Sequence, residues 1–277
     1  MADSMTISAL KSDASTPISF APRISIVTVV RNGVRFIGQT IESVLQQSYP
    51  HIEYIVIDGG STDGTVDAIK VHADRYAYWI SEKDAGISDA FNKGLAHTTG
   101  EYVLFLNADD ALAGPDVIER MVTLIEQYSQ PAILYGDCDL LDRESEQVLS
   151  RTSIDFVPSK MMYGHMIPQP SMLTHRSYFE KYGNFDHAFK LAMDYEWLLR
   201  GALVERVVHV PMLVTCVHDG GVSTQSRSKA IDEISRALKK NLWIRSWVGE
   251  CKLRGYFLAR SLAKVVLKTL GLYKKHK

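Results

Sequence analysis

The amino-acid sequence predicts an α/β protein whose central, mostly parallel sheet is flanked by helices. β-branched runs alternate with helical patterns, the spacing is that of βαβ units, and Gly- and Asp-rich turns follow the runs. Such connections bring the carboxyl ends of the strands to one edge, where ligands bind. With 277 residues, 46% of them hydrophobic and 23% charged, the chain is long enough for one large domain with a helical appendage.

The predicted elements follow one another along the chain. A run at 24–30 starts the fold, and the helix after it ends at Tyr49-Pro50. A second strand, at 52–57, leads into a polar, Gly-rich turn that caps the next helix. Further strands are predicted at 78–81, 101–106, 133–135 and 207–217, helices near 64–73, 88–97, 115–129 and 193–203, an acidic turn at 136–139, and loop-rich surface at 150–175.

The chain divides into three parts. They are a polar leader at 1–21, an α/β domain at 22–225 with halves at 22–115 and 116–225, and a tail at 226–277. The leader lacks the apolar core of a signal peptide, and we expect it to be mobile. Three cysteines lie far apart without CxxC spacing, which indicates a reducing compartment and neither disulfides nor a zinc site. No apolar run approaches the ~18 residues of a transmembrane helix.

The tail is strongly basic. From Arg236 to Lys277 there are 12 lysines and arginines and one acid, a balance of +11, whereas the other 235 residues carry −12. Basic residues alternate with apolar and aromatic ones at helical spacing, which favours a helix on an anionic membrane surface over a nucleic-acid arm. A helix pair packed on the main domain, with solvated lysines, is the alternative. The expected location is cytoplasmic, peripheral on the inner face of the cytoplasmic membrane.

Asn107-Ala108-Asp109-Asp110 directly follows an apolar run that reads as a buried strand. Two adjacent acids in such a place are unfavourable unless a cation or several donors compensate them. Carboxylates suit Mg²⁺ or Mn²⁺, which commonly share their ligands with substrate phosphates. A helix-capping or turn role for the acids is the alternative, although the helix at 115–129 already has Pro115 and acids of its own at its start.

Five segments in order resemble the family 2 inverting glycosyltransferases, which have a GT-A fold. They are IVTVVRN at 26–32, VIDGGSTDG at 56–64, DAGISDAFNKG at 84–94, FLNADD at 105–110 and KLAMDYEWLLR at 190–200. The resemblance covers roughly residues 22–225 and leaves out the basic tail. Each motif is weak alone, whereas five in this order and spacing are specific.

The resemblance implies roles on the donor side. Asp110 would be the carboxylate on a divalent ion, Mn²⁺ or Mg²⁺, that bridges the donor diphosphate, and His218 a further metal ligand or a cover over the diphosphate. Asp109 would contact the ribose. The implied donor-binding residues are Thr28, Val30, Asp58, Asp84, Asn92, Lys93, Asn107, Ala108 and Asp109. Asp58 would meet the base or ribose, although Gly59 stands where the commoner motif has a second acid. Turn chemistry at Asp84 and a surface position for Lys93 remain alternatives.

On the acceptor side, the resemblance implies that Asp194 is the general base that removes the acceptor hydroxyl's proton. A helix-dipole role for this acid is the alternative. Glu196 is the fallback base, on the wrong face of the helix. His165 lies where relatives carry a histidine or glutamine beside the acceptor.

The predicted function is a metal-dependent inverting transfer of one sugar from a nucleotide-sugar, most simply a UDP-sugar, to a glycan or lipid-linked glycan in surface polysaccharide assembly, such as lipopolysaccharide. The tail lacks the Gln-x-x-Arg-Trp motif and spans of processive synthases, which favours single transfers. A sugar nucleotidyltransferase and a catalytically silent GT-A protein are the alternatives. The first would need a Gly-rich triphosphate loop that 31–35 does not offer, and the second does not explain why both acid sites are present. No nucleic acid is expected as a partner.

Overall fold

A computed structural model describes residues 20–220, 227–241, 252 and 254–259. The strands are β1 Ile24–Val30, β2 Ile52–Asp58, β3 Tyr78–Ser81, β4 Tyr102–Asn107, β5 Asp110–Leu112, β6 Ile133–Leu141, β7 Val148–Thr152, β8 Met172–His175 and β9 Val207–His218. The helices are α1 Ile37–Leu45, α2 Thr65–Lys70, α3 Ile87–Ala96, α4 Val117–Gln127, α5 Pro158–Met161, α6 Arg176–Tyr182, α7 Met193–Gly201 and α8 Arg227–Lys240, with 3₁₀ turns at Ala73–Arg75 and Gln169–Ser171.

One sheet contains these strands in the order β3-β2-β1-β4-β8-β6-β9-β5, and β7, which is outside this order, pairs with β6. Neighbours β1, β2, β3 and β4 are parallel, and so are β6 and β9, while β8, β5 and β7 pair antiparallel. Since β8 is antiparallel to both β4 and β6, the strands β1–β4, β6 and β9 all end at the same edge. The predicted α/β fold with a mostly parallel sheet is confirmed.

The register brings polar residues together at that edge. Val30 pairs with Asp58, and Asp58 pairs with Ser81 across β1, β2 and β3. On the other side of β1, Val29 pairs with Asn107 at the end of β4. The turns after β1, β2, β3 and β4 are therefore neighbours in space, which is the usual place for a ligand site in such a sheet.

Both faces of the sheet are covered, and every residue of β1 is buried. One apolar cluster packs α1, α2 and α4 against the sheet, and the other packs α3, α6, α7 and α8 against the opposite face. The first four strands lie within one residue of their predicted bounds, since continuous β-branched runs are typical of strands buried on two sides.

Two predictions in the second half are corrected. The strand predicted at 133–135 continues to Leu141, and the predicted acidic turn at 136–139 is its interior. Burial of Asp139 there is compensated by a bidentate ion pair with Arg151 of β7, at 2.7 and 2.8 Å. The stretch 150–175, predicted as loop, contains the end of β7, α5 and β8.

The beginning of the tail packs on the main domain. Helix α8 lies against α7, and Phe257 packs on Gly164. No described helix has both the length and the apolar character that crossing a bilayer requires. The predicted leader falls almost wholly on residues 1–19, and the predicted boundary near 225 and most of the basic tail also lie outside the described residues.

Candidate active site

The turn between β4 and β5 carries the acid pair. Asp110 folds back on it, since its Oδ2 accepts hydrogen bonds from Asn107 N (3.1 Å) and Asn107 Nδ2 (2.9 Å). The Thr40 hydroxyl lies 2.9 Å from the Ala108 carbonyl oxygen and 2.7 Å from that of Asp110, so α1 anchors the turn. Only 5% of Asp110 is exposed. Burial, together with the charge of Asp109, raises the pKa of Asp110 to about 7, although the bonds from Asn107 oppose the shift.

Asp109 differs from Asp110 in both exposure and partner. Its side chain is 33% exposed, and its Oδ2 is ion-paired with Nη2 of Arg143. We predicted that Asp110 meets the metal and Asp109 the ribose. Both roles stay predictions, and the structure shows that Asp109 is the more exposed of the two carboxylates. The buried Asp110 already accepts two bonds from Asn107 and shapes the turn.

The oxygen atoms of this turn fit a hard divalent cation. The side-chain oxygen of Asn107 is buried without a hydrogen-bond partner, and amide and carboxylate oxygens are suitable ligands for Mg²⁺ and Mn²⁺. Among the described residues, no three His, Cys, Asp or Glu side chains converge on a common point. An ion at this turn would therefore take most of its ligands from water and from donor phosphate.

His218, the predicted further metal ligand, ends β9 beside the acid turn. Its Nδ1 lies 2.7 Å from the Asp109 carbonyl oxygen, and its Nε2 lies 3.0 Å from the Glu146 carboxylate. Burial lowers the pKa of His218, but these two bonds outweigh it and the net pKa is raised. Because both ring nitrogens have protein partners, the ring is not free to ligate a metal in this arrangement. It instead supports the backbone of the turn.

Asp58 ends β2 and is fully buried. Its Oδ2 accepts hydrogen bonds from the backbone N of Gly60 (3.1 Å) and Ser61 (3.0 Å) and from Ser81 Oγ (2.6 Å), and its Oδ1 accepts one from Ser61 Oγ. The carboxylate thus ties the turn after β2 to the end of β3. Asp58 shapes this edge of the sheet from within, and its contact with the base or ribose of a donor stays a prediction.

Residue 59 is a glycine that lies against the side chain of Asp84, where there is no room for a larger residue. A Cβ added at residue 59 would overlap Asp84 Oδ2. The other oxygen of Asp84 accepts a hydrogen bond from Gly86 N at 2.9 Å, and Gly59 N donates to the Val30 carbonyl oxygen at 2.8 Å. The Asp84 carboxylate therefore occupies space that a side chain at 59 would need. The edge carries an acid from the loop after β3 beside the position where the commoner motif has its second acid.

Three other predicted donor residues have partners within the protein. Thr28 is fully buried inside β1 and accepts a hydrogen bond from a tyrosine hydroxyl at 3.1 Å. On α3, Asn92 exchanges two hydrogen bonds with the backbone of Phe185, at 2.8 and 3.0 Å, and Lys93 pairs with Glu82 at 2.7 Å. Asn92 thus joins the segment before α7 to α3, Lys93 forms an ion pair, and the donor contacts of the three residues stay predictions.

Asp194 lies in the first turn of α7 and lines a cavity of ≈ 10 Å³ together with Phe105 of β4. Phe105 and Asn107 are two residues apart on the same face of that strand, about 7 Å along it. Asp194 is therefore near the strand end that carries the acid turn. Burial raises the pKa of Asp194 and the charge of Glu233 adds to this, against a hydrogen bond from Tyr195 N at 2.8 Å. A raised pKa makes a carboxylate a better proton acceptor.

Glu196, the fallback base, is fully buried in an ion-pair network. It pairs with Arg200 at 2.5 Å and with Lys240 at 2.9 Å, and it accepts from Asn241 at 3.2 Å. Burial by itself would raise the pKa of Glu196, but these donors outweigh burial and lower it. Its charge thus joins α7 to α8, and the role of Asp194 as the base stays a prediction.

The family model described as "Glycosyl transferase family 2" matches residues 25–183, more than half of the chain. The chain belongs to glycosyl transferase family 2. An uncharacterised glycosyltransferase of Mycobacterium tuberculosis (strain H37Rv) is 33% identical over 213 residues, which cover 76% of this chain and 80% of the relative. A PGL/p-HBAD biosynthesis glycosyltransferase of Mycobacterium bovis is 26% identical over 69% of this chain and 75% of its own length.

Two solved structures show the same fold at low sequence identity. A mannosyltransferase from Pyrobaculum calidifontis, in complex with GDP-Man and Mn²⁺, has a TM-score of 0.62 and 19% identity, covering 95% of this chain and 84% of that one. TarS 1–349 of S. aureus, in complex with UDP-GlcNAc, has a TM-score of 0.62 and 16% identity, covering 78% of this chain and 66% of that one. The predicted GT-A fold is thereby confirmed.

Two residues of this glycosyltransferase that no sequence pattern indicates, Arg143 and Glu146, lie in the turn between β6 and β7 and contact Asp109 and His218. The acidic stretch before them is the only sequence signal, and because it reads as a turn it does not indicate the strand β6 that positions this hairpin at the edge. His165, the predicted acceptor-side histidine, lies 3.3 Å from the Tyr256 hydroxyl through its Nε2. It is therefore beside the C-terminal helical segment.

Proposed function

We propose that this chain is a metal-dependent, inverting glycosyltransferase that moves one sugar from a nucleotide diphosphate donor to an acceptor hydroxyl. The observation that carries the proposal is that two carboxylates lie near the end of β4. Asp109 is partly exposed at the edge of the sheet, and Asp194 is partly buried beside Phe105 of that strand. A donor held at the first carboxylate then presents its sugar toward the second.

On the donor side, Asp109 would be the protein carboxylate that meets a divalent ion, and Asp110 and Asn107 would hold the turn in place. Mn²⁺ or Mg²⁺, when bound, supplies positive charge to a diphosphate that leaves with its bonding electron pair. Asp84, on the loop after β3, would face the nucleoside. The P. calidifontis mannosyltransferase, solved in complex with GDP-Man and Mn²⁺, supports this class of donor.

On the acceptor side, Asp194 accepts the proton of the acceptor hydroxyl as its oxygen bonds to the anomeric carbon. The bond from that carbon to the diphosphate oxygen breaks at the same time, on the opposite face, and the carbon is inverted. One base suffices, because no covalent intermediate on the protein is formed. The raised pKa of Asp194 suits this task.

For the substrates, we propose a UDP-sugar donor and a glycan or lipid-linked glycan acceptor in surface polysaccharide assembly, reached from the inner face of the cytoplasmic membrane. Two similar proteins support this choice, since TarS was solved in complex with UDP-GlcNAc and a relative is named for PGL/p-HBAD biosynthesis. The P. calidifontis structure has GDP-Man instead. Both nucleotide classes therefore belong in the test.

The test is a panel of UDP- and GDP-sugars with the purified chain in millimolar Mn²⁺, Mg²⁺ or EDTA. We expect nucleoside diphosphate release from one donor class with either ion and its loss in EDTA. With a bacterial glycolipid extract added as the acceptor, product mass and anomeric NMR identify the sugar and the inverted linkage. Release that is unchanged in EDTA contradicts the metal dependence, and a retained anomeric configuration contradicts inversion. No release from any donor contradicts the proposed glycosyl transfer.

A further inference from the structure

The hairpin between β6 and β7 brings an arginine to the acid turn. Arg143 is ion-paired through Nη2 with Asp109, while its Nε donates to the Asp219 carbonyl oxygen at 2.9 Å. Its backbone N also donates to Asp219 Oδ1 at 3.2 Å. The guanidinium therefore has one further hydrogen bond beyond the ion pair, and the backbone of the same residue is held by another, so its position does not depend on Asp109 alone.

The hairpin itself is held from three sides. Arg35 forms a bidentate pair with Glu144, at 2.8 and 3.2 Å, and donates to the Arg143 carbonyl oxygen at 2.9 Å. The guanidinium of Arg143 lies over the ring of Phe36, 4.8 Å from its centroid, and that of Arg35 lies 4.9 Å from the same centroid. Glu146, from the same turn, contacts His218. Such support preorganises a cation at little further cost in entropy.

Arg143 is also accessible, since 32% of its side chain is exposed. In the protein without donor, it is the cation that balances Asp109. A nucleoside diphosphate would add several negative charges at the same turn, and in the proposed complex Asp109 would be a ligand of the divalent ion. The guanidinium is left with an anion directly in reach, and its planar fork matches two phosphate oxygens.

We propose that Arg143 is a donor-binding residue, which pairs with Asp109 in the free protein and with the donor diphosphate in the complex. This proposal rests on the proposed function. The protein itself then supplies a positive charge to the leaving diphosphate. This charge lies on a hairpin outside the segments at 26–32, 56–64, 84–94 and 105–110.

The test is calorimetric titration of UDP and of GDP, each with saturating Mn²⁺, into the wild type, Arg143→Gln and Arg143→Lys. We expect the Kd of the bound nucleotide to rise about 10-fold or more in Arg143→Gln, as for the loss of a charge-assisted bond pair. Arg143→Lys keeps the charge without the fork and should lie between. Titration of Mn²⁺ alone should show equal or tighter binding in Arg143→Gln, because Asp109 loses its counter-ion.

Arg120→Gln is the control, since it removes an exposed arginine that pairs with Asp116 beside α4 and takes no part in holding the hairpin or Asp109. We expect it to stay within about twofold of the wild type. Nucleotide binding by Arg143→Gln within twofold of the wild type, or tighter, would falsify the role of Arg143. Circular dichroism and Tm verify folding, and Arg143→Lys decides the matter if the Gln variant does not fold. A wild type that binds neither nucleotide overturns the proposed function instead, which separates the two failures.

Discussion

At the residue scale, the environment of each carboxylate decides its chemistry more than its place in a motif. Asp110 and Asp109 are adjacent, yet Asp110 is buried with its Oδ2 bonded to Asn107, whereas Asp109 is partly exposed and paired with Arg143. Asp194 and Glu196 on α7 also differ in environment, and the pKa of Asp194 is raised while that of Glu196 is lowered. The proposed proton transfer would therefore fall to Asp194, while the carboxylate of Glu196 is used in ion pairs.

The first prediction concerns Asp194→Asn. The base works in its deprotonated form, and its pKa is raised. At saturating donor and Mn²⁺, kcat should therefore fall toward acid pH, with a midpoint above the ordinary Asp pKa of about 3.9. The substitution should reduce kcat by about 10²-fold or more, remove this acid limb and leave donor Kd unchanged. Steady-state kinetics from pH 4 to 9 measure this. Glu196→Gln is the comparison, and it should keep the limb. A weakened donor Kd with near-normal kcat would reassign Asp194 to donor binding.

A second prediction concerns the clash between residue 59 and Asp84. In Gly59→Ala the new methyl group displaces the Asp84 carboxylate, because the overlapping atom is the end of a side chain that is able to rotate. We expect little change in Tm but a rise of about 3- to 10-fold in donor Kd. The double variant Gly59→Ala, Asp84→Ala has no carboxylate to displace, so the effect of the methyl should vanish in that background. Equal effects of Gly59→Ala in both backgrounds would show that Asp84 plays no part.

At the element scale, α8 supports the helix that carries Asp194, although it follows the segment that matches the family. The Glu233 carboxylate accepts hydrogen bonds from three consecutive backbone N–H groups, at 190–192, directly before the helix that carries Asp194. Lys240 pairs with Asp186 at 2.7 Å and with Glu196. A carboxylate at the start of a helix satisfies donors that the helix leaves free and interacts favourably with its dipole.

We therefore predict that Glu233→Gln lowers both stability and turnover. One amide oxygen does not replace two carboxylate oxygens on three donors, so the free energy of unfolding should fall by about 1–3 kcal/mol. Looser placement of Asp194 should reduce kcat about 10-fold, while donor Kd stays constant. Urea unfolding and kinetics measure the two effects. Asp232→Asn, at the neighbouring exposed position, should change the free energy of unfolding by less than about 0.5 kcal/mol. Equal behaviour of the two variants would show that Glu233 has no special role.

At the scale of the whole molecule, local patterns predicted the first half of the fold because each strand and helix there is specified by its own apolar residues. They did not predict β6 at full length, since Asp137 and Asp139 interrupt its apolar run. Their partners, His209 at 2.8 Å from Asp137 and Arg151 on Asp139, lie far along the chain or in another strand. The contact of Arg143 with Asp109 is equally non-local. Pairings of this kind arise from the topology of the sheet and leave no periodic signal.

The last prediction concerns charge over the whole chain, +11 from 236 to 277 against −12 elsewhere. Lys240 and Arg236 already contact the main domain, through Asp186 and the Ala188 carbonyl oxygen, so any attraction to anionic lipid falls on the remaining cations. The test variant carries Lys→Gln at 264, 268, 274 and 275. At about 1 kcal/mol for each lysine near an anionic surface, binding to phosphatidylglycerol vesicles should weaken by about 10²-fold or more. Co-sedimentation measures this, and turnover with a soluble acceptor should not change. The control removes four charges from the main domain, at Lys70, Arg75, Arg120 and Lys181. An equal loss in the control, or no loss in the test variant, would assign these lysines to solvent, as the packed-tail alternative requires.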